Sequence, residues 1–419
     1  MFSQHKLSNG TRVILAPFKD SKAVTALVLV KVGSRYETAR TNGLSHVLEH
    51  MMFKGTKKWP TSLSISHALD SIGAEYNAFT SKDHTGYYIK ASEEEMPLVL
   101  EMLSELLLHA TLSAEELERE KNVIVEEIHM YEDNPMAHIG DVYEELLYGG
   151  SKLGWLISGS KETVMGMTQK DMLDYRDTYY HSGRVLVGVA GNVNEKTLKL
   201  VEKYFRVPKK PFGQKYEPFV AKQTKPRVKV SFKETTQVHM TLGFYGFKHG
   251  DKRLAAAQLL HVILGGNMSS RLFIAVRERL GLAYYVRSGL DVYEDTGGFS
   301  VSAGLDASRI ELALTTIIKE LALIRDKGVT AKELDKAKHY MRGHTTLALE
   351  ETSAVVDWYA KQALFDQPLK TPEQKLKEVF AVTREQVQAV AHDLIDMRRA
   401  NLAMIGPFKD EEKFLKLLR

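Results

Sequence analysis

The order in which this chain arranges its segments repeats once, and that repetition limits the fold more than any single motif does. Tyr76 to Lys90, "YNAFTSKDHTGYYIK", alternates apolar and polar residues like a strand pair around a Thr-Gly, and so does Tyr285 to Ala303, "YVRSGLDVYEDTGGFSVSA". Each pair is followed by a long amphipathic helix, "EEEMPLVLEMLSELLLH" in the first half and "ASRIELALTTIIKELALIRDKG" in the second. Then come "LSAEELEREK" and "VTAKELDKAK", where Ser113 with Glu116 and Thr330 with Glu333 form the same capping-box pattern. Recurrence of these features in one order implies a duplicated domain of about 200 residues. Alternating strands in hairpin-like pairs, separated by two-sided helices, predict an α+β fold in which each copy is a mostly antiparallel sheet with helices packed on one face. Residues 207–226 hold four of the eleven prolines, several lysines and little apolar periodicity. The expected division is therefore 1–210, a linker at 211–226, and 227–419.

Bulk composition agrees with two packed domains and excludes several functions. The 419 residues are 44% hydrophobic and 26% charged, the balance of a folded globular chain too long for one ordinary core. A formal charge of +4, with basic residues dispersed among acidic ones, gives no basic stripe for nucleic acid. Cysteine is absent, so disulfides and thiolate metal sites are excluded and any metal must be held by nitrogen and oxygen. The start, "MFSQHKLSNGTRVILAPF", runs into a strand pattern without a signal or transit signature, and no apolar run approaches the roughly 20 residues that span a bilayer. A soluble, cytoplasmic protein without a membrane or nucleic-acid partner is expected.

The chemistry concentrates in "GLSHVLEHMMFKGT", residues 43–56. At 100° per residue, Leu44, Val47, Leu48, Met51 and Met52 form one apolar stripe, and His46, Glu49 and His50 fall together on the opposite side. Thr41 and Asn42 offer a helix cap just ahead. A solvated polar face is the plain alternative for such a trio. Against it stands the order His-x-x-Glu-His, in which two histidines at i and i+4 can reach one ion and a glutamate beside them can serve as a base. Two histidines leave a catalytic zinc site one ligand short. The helix "SAEELEREKNVIVEEIHMYEDNP" supplies carboxylates, with Leu117, Ile124, Ile128 and Tyr131 marking its buried stripe. Glu120 and Glu127 lie along the edge of that stripe and Glu126 on the wet side. Glu127 is the expected ligand, and Glu120 either orients a ligand or is an ordinary surface glutamate.

At these residues the sequence resembles the pitrilysin family of zinc peptidases, the group that includes insulin-degrading enzyme and the mitochondrial processing peptidase. That family pairs His-x-x-Glu-His with a glutamate 77 residues beyond the second histidine, the spacing of His50 and Glu127. The resemblance implies one zinc ion per chain, His46, His50 and Glu127 as its ligands, and Glu49 as general base. "EYNAFTSKDHTGYYI" resembles the family's active-site edge strand, which implies that Asn77, Ala78 and Phe79 contact the substrate backbone. "LGGNMSSRLFIAVRERLGLAYYV" resembles the segment whose Arg/Tyr pair, Arg277 and Tyr284 here, grips the scissile region. In "KLGWLISG", Trp155 stands where the family often has arginine. Similarity to the shorter, two-domain members implies half of a clam-shell chamber, completed by a second copy as a homodimer, that hydrolyses unfolded peptides. The second domain lacks the zinc constellation: Ala337 stands where Glu120 does. The alternative is a non-catalytic or heterodimer-dependent subunit.

Overall fold

The computed structural model describes residues 2–213 and 215–419. Their strands form two sheets. The first contains β1 (Ser3–Lys6), β2 (Arg12–Pro17), β3 (Ala23–Val30), β4 (Glu75–Thr80), β5 (Thr85–Ser92) and β6 (Val185–Gly191), in the order β1-β2-β6-β3-β5-β4. The second contains β7 (Arg227–Phe232), β8 (Gln237–Gly246), β9 (Ala283–Val292), β10 (Gly297–Asp306) and β11 (Asn401–Gly406), in the order β7-β11-β8-β10-β9. Only β2 with β6 and β7 with β11 run parallel; the remaining pairs are antiparallel. The duplicated, mostly antiparallel α+β architecture is thus present. The hairpin turns fall at Ser81–His84 and Tyr293–Thr296, so Thr85-Gly86 and Gly297-Gly298 open the return strands instead of making the turns.

The first half builds its main helical layer from α1 (Leu44–Met52), α2 (Ser62–Asp70), α3 (Met96–His109) and α4 (Ala114–Asp133). Val13, Leu15, Val24, Ala26, Val28 and Val30 of the sheet meet this layer in one core. β3 reads "AVTALVLV" without alternation because its other face is covered too. Ile14, Leu27, Leu29 and Leu186 on that face pack against Val356, Tyr359, Ala360 and Leu364 of the helix Thr352–Leu364. The second sheet is treated alike: α5 (Pro135–Tyr148) sets Ile139, Val142 and Leu147 against Ala403 and Ile405 of β11.

Each sheet therefore takes its back-face helix from the other half of the sequence. The compact units are Met1–His129, Trp155–Glu217 and Thr346–Thr371 in one, and Met130–Gly154, Pro218–Thr345 and Pro372–Arg419 in the other. A boundary at 211–226 separates the strands of the two sheets but not these two helices, whose apolar faces gave no sign in sequence of which sheet they would cover. Among the described residues, no helix is long and apolar enough to cross a membrane.

Candidate functional site

α1 buries Leu44, Val47, Leu48, Met51 and Met52, while His46, Glu49 and His50 stay partly accessible on its other side. Its N-terminus is not capped by Thr41 or Asn42, as the sequence suggests. Thr41 bonds the hydroxyl of Thr38, and the Asn42 amide donates to Leu156 O at 2.8 Å and Glu37 Oε2 at 3.1 Å. The capping acceptor is Glu37, whose two carboxylate oxygens receive the N–H groups of Gly43 and Ser45, both at 2.7 Å. Burial pushes the Glu37 carboxyl up to about 7 against these hydrogen bonds. Gly43 enters the helix at φ +96°, and a Cβ there would lie 2.5 Å from Ser158 O. The loop around Trp155 thus backs onto the helix start, with the Trp155 carbonyl accepting from Lys82 Nζ at 2.5 Å.

α4 brings the carboxylates. It buries Leu117, Glu120, Ile124 and Ile128, whereas Tyr131, placed on the buried stripe by its spacing, is 46% exposed. The stripe ends one turn earlier than its period predicts because the helix runs past the core that Leu117 to Ile128 fill. Glu126 points to solvent. Glu127 and Glu120 turn toward α1.

Three donor atoms converge. His46 Nε2 and His50 Nε2 are 3.2 Å apart, and Glu127 Oε2 lies 3.4 Å from His50 Nε2 and 3.7 Å from His46 Nε2. Donors about 2.0–2.2 Å from a tetrahedral ion stand about 3.3–3.6 Å apart, so the triangle has the size of one face of a zinc site. Among the described residues these three are the only group of histidine and carboxylate side chains with such convergence. Glu120 fixes the ring of His50, with Oε1 2.9 Å from His50 Nδ1, and its other oxygen takes Lys54 Nζ at 2.5 Å. With the proton on Nδ1, the Nε2 lone pair of His50 faces the other two donors.

The electrostatics describe a place for positive charge. Burial, then repulsion from His50, pushes His46 down to about 4. Burial opposes charge on His50 as well, but its hydrogen bonds to Glu120 and Glu127 prevail and raise it to about 9. The hydrogen bond from His50 holds Glu127 below the usual carboxylate range despite burial. Glu120 is lowered as well: burial is overcome by His50 and Lys54. The donor set fits zinc, with two imidazoles, one carboxylate and no thiolate.

Glu49, between the two histidines on α1, is raised by burial, which outweighs a hydrogen bond from Thr80 Oγ1 to its Oε2. Asn77, Ala78 and Phe79 lie on β4, the edge strand of the first sheet, bonded on one side only, to β5. Arg277 and Tyr284 belong to the second compact unit. Arg277 sits on a π-helical turn, Phe273–Glu278, with its guanidinium 5.0 Å from the centre of the Phe273 ring and 5.8 Å from that of Tyr284, which is 72% exposed. Ala337, the counterpart of Glu120, is fully buried. Sequence reasoning missed Glu37, Lys54 and Thr80. Lys54 stands four residues beyond His50 and so carried a helical signal, whereas Glu37 and Thr80 carried none.

The chain is a duplicated α+β scaffold that brings an inverted histidine-glutamate motif and a distant carboxylate around one point. Residues 12–157 match the family described as "Insulinase (Peptidase family M16)", and residues 166–341 match "Peptidase M16 inactive domain". The chain is 38% identical over 411 residues to the "Uncharacterized zinc protease YmxG" of Bacillus subtilis (strain 168), covering 97% of this chain and 98% of that one. It is 34% identical to the "Uncharacterized zinc protease SCO5738" of Streptomyces coelicolor, covering 97% and 90%. The crystal structure of a protease from Helicobacter pylori superposes with a TM-score of 0.90 at 25% identity, over 97% of this chain and 99% of that one. The crystal structure of a peptidase M16 inactive domain from Pseudomonas fluorescens shares the fold at TM-score 0.91 and 20% identity, covering 98% of this chain and 99% of that one. This chain belongs to the M16 peptidase family, in its short two-domain form.

Proposed function

We propose that the chain is a zinc metalloendopeptidase acting on unfolded peptides. The observation that carries this reading is the convergence of His46 Nε2, His50 Nε2 and Glu127 Oε2 with Glu49 on the same helix face. His46, His50 and Glu127 would hold one zinc ion, which when bound would polarise a peptide carbonyl and make water acidic enough to lose a proton near neutral pH. Glu120 keeps the Nδ1 proton of His50 in place, so that Nε2 stays available as a donor. Glu49 takes a proton from the attacking water and returns it to the amine nitrogen that leaves. The substrate pairs as an added strand along the free edge of β4, where backbone groups of Asn77, Ala78 and Phe79 recognise an extended peptide with weak demands on its sequence. In a homodimer enclosing a chamber, Arg277 and Tyr284 of a second copy steady the peptide or the developing oxyanion. Such a chamber selects by length and flexibility, so folded proteins are poor substrates.

Replacing Glu49 with Gln tests the base. Zinc content should persist while cleavage of a quenched-fluorescent peptide is lost; retained cleavage refutes the assignment. Size analysis of the active species tests the assembly, and activity that appears only on mixing with a different subunit overturns the homodimer. Analysis of bound metal, together with mapping of cleavage sites in a peptide mixture, defines the cofactor and bond preference.

A further inference from the structure

Thr80 Oγ1 donates to Glu49 Oε2, and among the described residues this is the only hydrogen bond that reaches the Glu49 carboxylate. The neighbouring buried hydroxyls of Tyr87 and Tyr180 bond each other at 3.0 Å. A carboxylate on a three-bond stem samples several rotamers unless something holds it. Here one oxygen is held and the other is left open.

The two partners come from elements 31 residues apart, and the segment after β3 ties those elements together. The N–H groups of Ser34 and Arg35 donate to the carbonyls of Ser81 and Lys82 at 3.1 and 3.2 Å, in the turn that follows Thr80. Arg35 also forms a fully buried ion pair with Asp83 of that turn, Nη1 to Oδ1 at 2.8 Å. Two residues on, Glu37 receives the N–H groups of Gly43 and Ser45 at the start of α1. One short segment thus sets the β4–β5 turn and the helix bearing Glu49 at a fixed separation, and the Thr80 hydroxyl spans what remains. Thr80 is also the last residue of β4, the edge strand.

We infer that Thr80 is a positioning residue for the base: it pins Oε2 of Glu49, makes Oε1 the oxygen that handles the proton, and links the base to the strand on which the peptide would pair. This rests on the reading of Glu49 as general base. A side chain that only packed there would be served equally by valine, which matches threonine in shape and in strand preference but has no donor.

The test compares Thr80→Val with Thr80→Ser. In Thr80→Val, zinc content and affinity stay as in the parent, kcat falls about 10- to 100-fold because the base is no longer held in register, and KM changes by less than about threefold. Thr80→Ser, which keeps the hydroxyl, recovers most of the loss. Should valine disturb folding, Thr80→Ala gives the same comparison. A second readout needs no turnover: in denaturant unfolding of the zinc-free protein, Thr80→Val and Glu49→Ala have non-additive effects, because each removes one partner of the same bond. Unchanged kcat in Thr80→Val, or an additive cycle, overturns the inference. If Glu49→Gln is inactive while Thr80→Val keeps full kcat, only the positioning role falls; if Glu49→Gln itself cleaves normally, the reading of the base falls and the inference with it.

Discussion

Removing the Glu120 carboxylate by Glu120→Ala should weaken zinc binding without removing a ligand. Glu120 Oε1 lies 2.9 Å from His50 Nδ1, and the Glu120 side chain is only 6% exposed, so water screens the bond poorly. A hydrogen bond to a charged group contributes about 1.5–3 kcal/mol, and loss of such a partner behind a ligating histidine typically lowers metal affinity by about 10- to 100-fold. At about 1.4 kcal/mol per decade, those two ranges agree. The cause would be tautomeric: without Glu120, His50 can carry its proton on Nε2, where it competes with the ion. Competition against a fluorescent zinc chelator gives the dissociation constant, and the 15N shifts of His50 report which nitrogen is protonated. Glu126→Ala is the control, since Glu126 is 80% exposed and should leave affinity unchanged. Equal zinc affinity in Glu120→Ala and the parent would refute the orienting role, and a loss as large as that of His50→Ala would make Glu120 a ligand in its own right.

Three further outcomes follow from the same geometry. Zinc at about 1,000 times its dissociation constant should stabilise the chain by about 4 kcal/mol over the chelated protein, seen as a rise in melting temperature that His46→Ala abolishes. Arg271 grips Glu333 through two nitrogens at 2.7 and 2.9 Å, and although burial opposes ionisation, these bonds and those from Thr330 lower the carboxyl to about 2. A depressed acid stabilises the fold above its unfolded value near 4.5 and loses that contribution as pH falls toward 2. Glu333→Gln should therefore cost about 2 kcal/mol at neutral pH, and in urea titrations the gap to the parent should close between those pH values; a gap independent of pH would contradict it. Gly188→Ala would set a methyl 2.6 Å from Val356 Cγ2, so it should destabilise by about 1–3 kcal/mol, and adding Val356→Ala should recover part of the loss if the helix Thr352–Leu364 packs on this sheet in solution.

The duplication, the two sheets and the grouping of His46, Glu49 and His50 on one helix face were legible in the sequence because each rests on a local period. Side chains at i and i+4 share a helix face wherever that helix goes, so His46, Glu49 and His50 could be grouped from spacing alone. Glu127 could be separated from Glu126 because the two lie on different sides of one apolar stripe. That argument failed at Tyr131, where periodicity continues but the core does not.

What only the tertiary structure decided are the contacts whose partners are far apart in the chain. His50 meets Glu120 across 70 residues, Glu49 meets Thr80 across 31, and the helix Thr352–Leu364 covers a sheet made of residues 3–191. An amphipathic stripe states that a face must be buried but not against what, and a polar side chain states that it needs a partner but not which. The sequence by itself determined which residues could bind a metal; the packing of α4 against α1 decided that three donors stand 3.2–3.7 Å apart, with Glu49 on the same helix face as two of them.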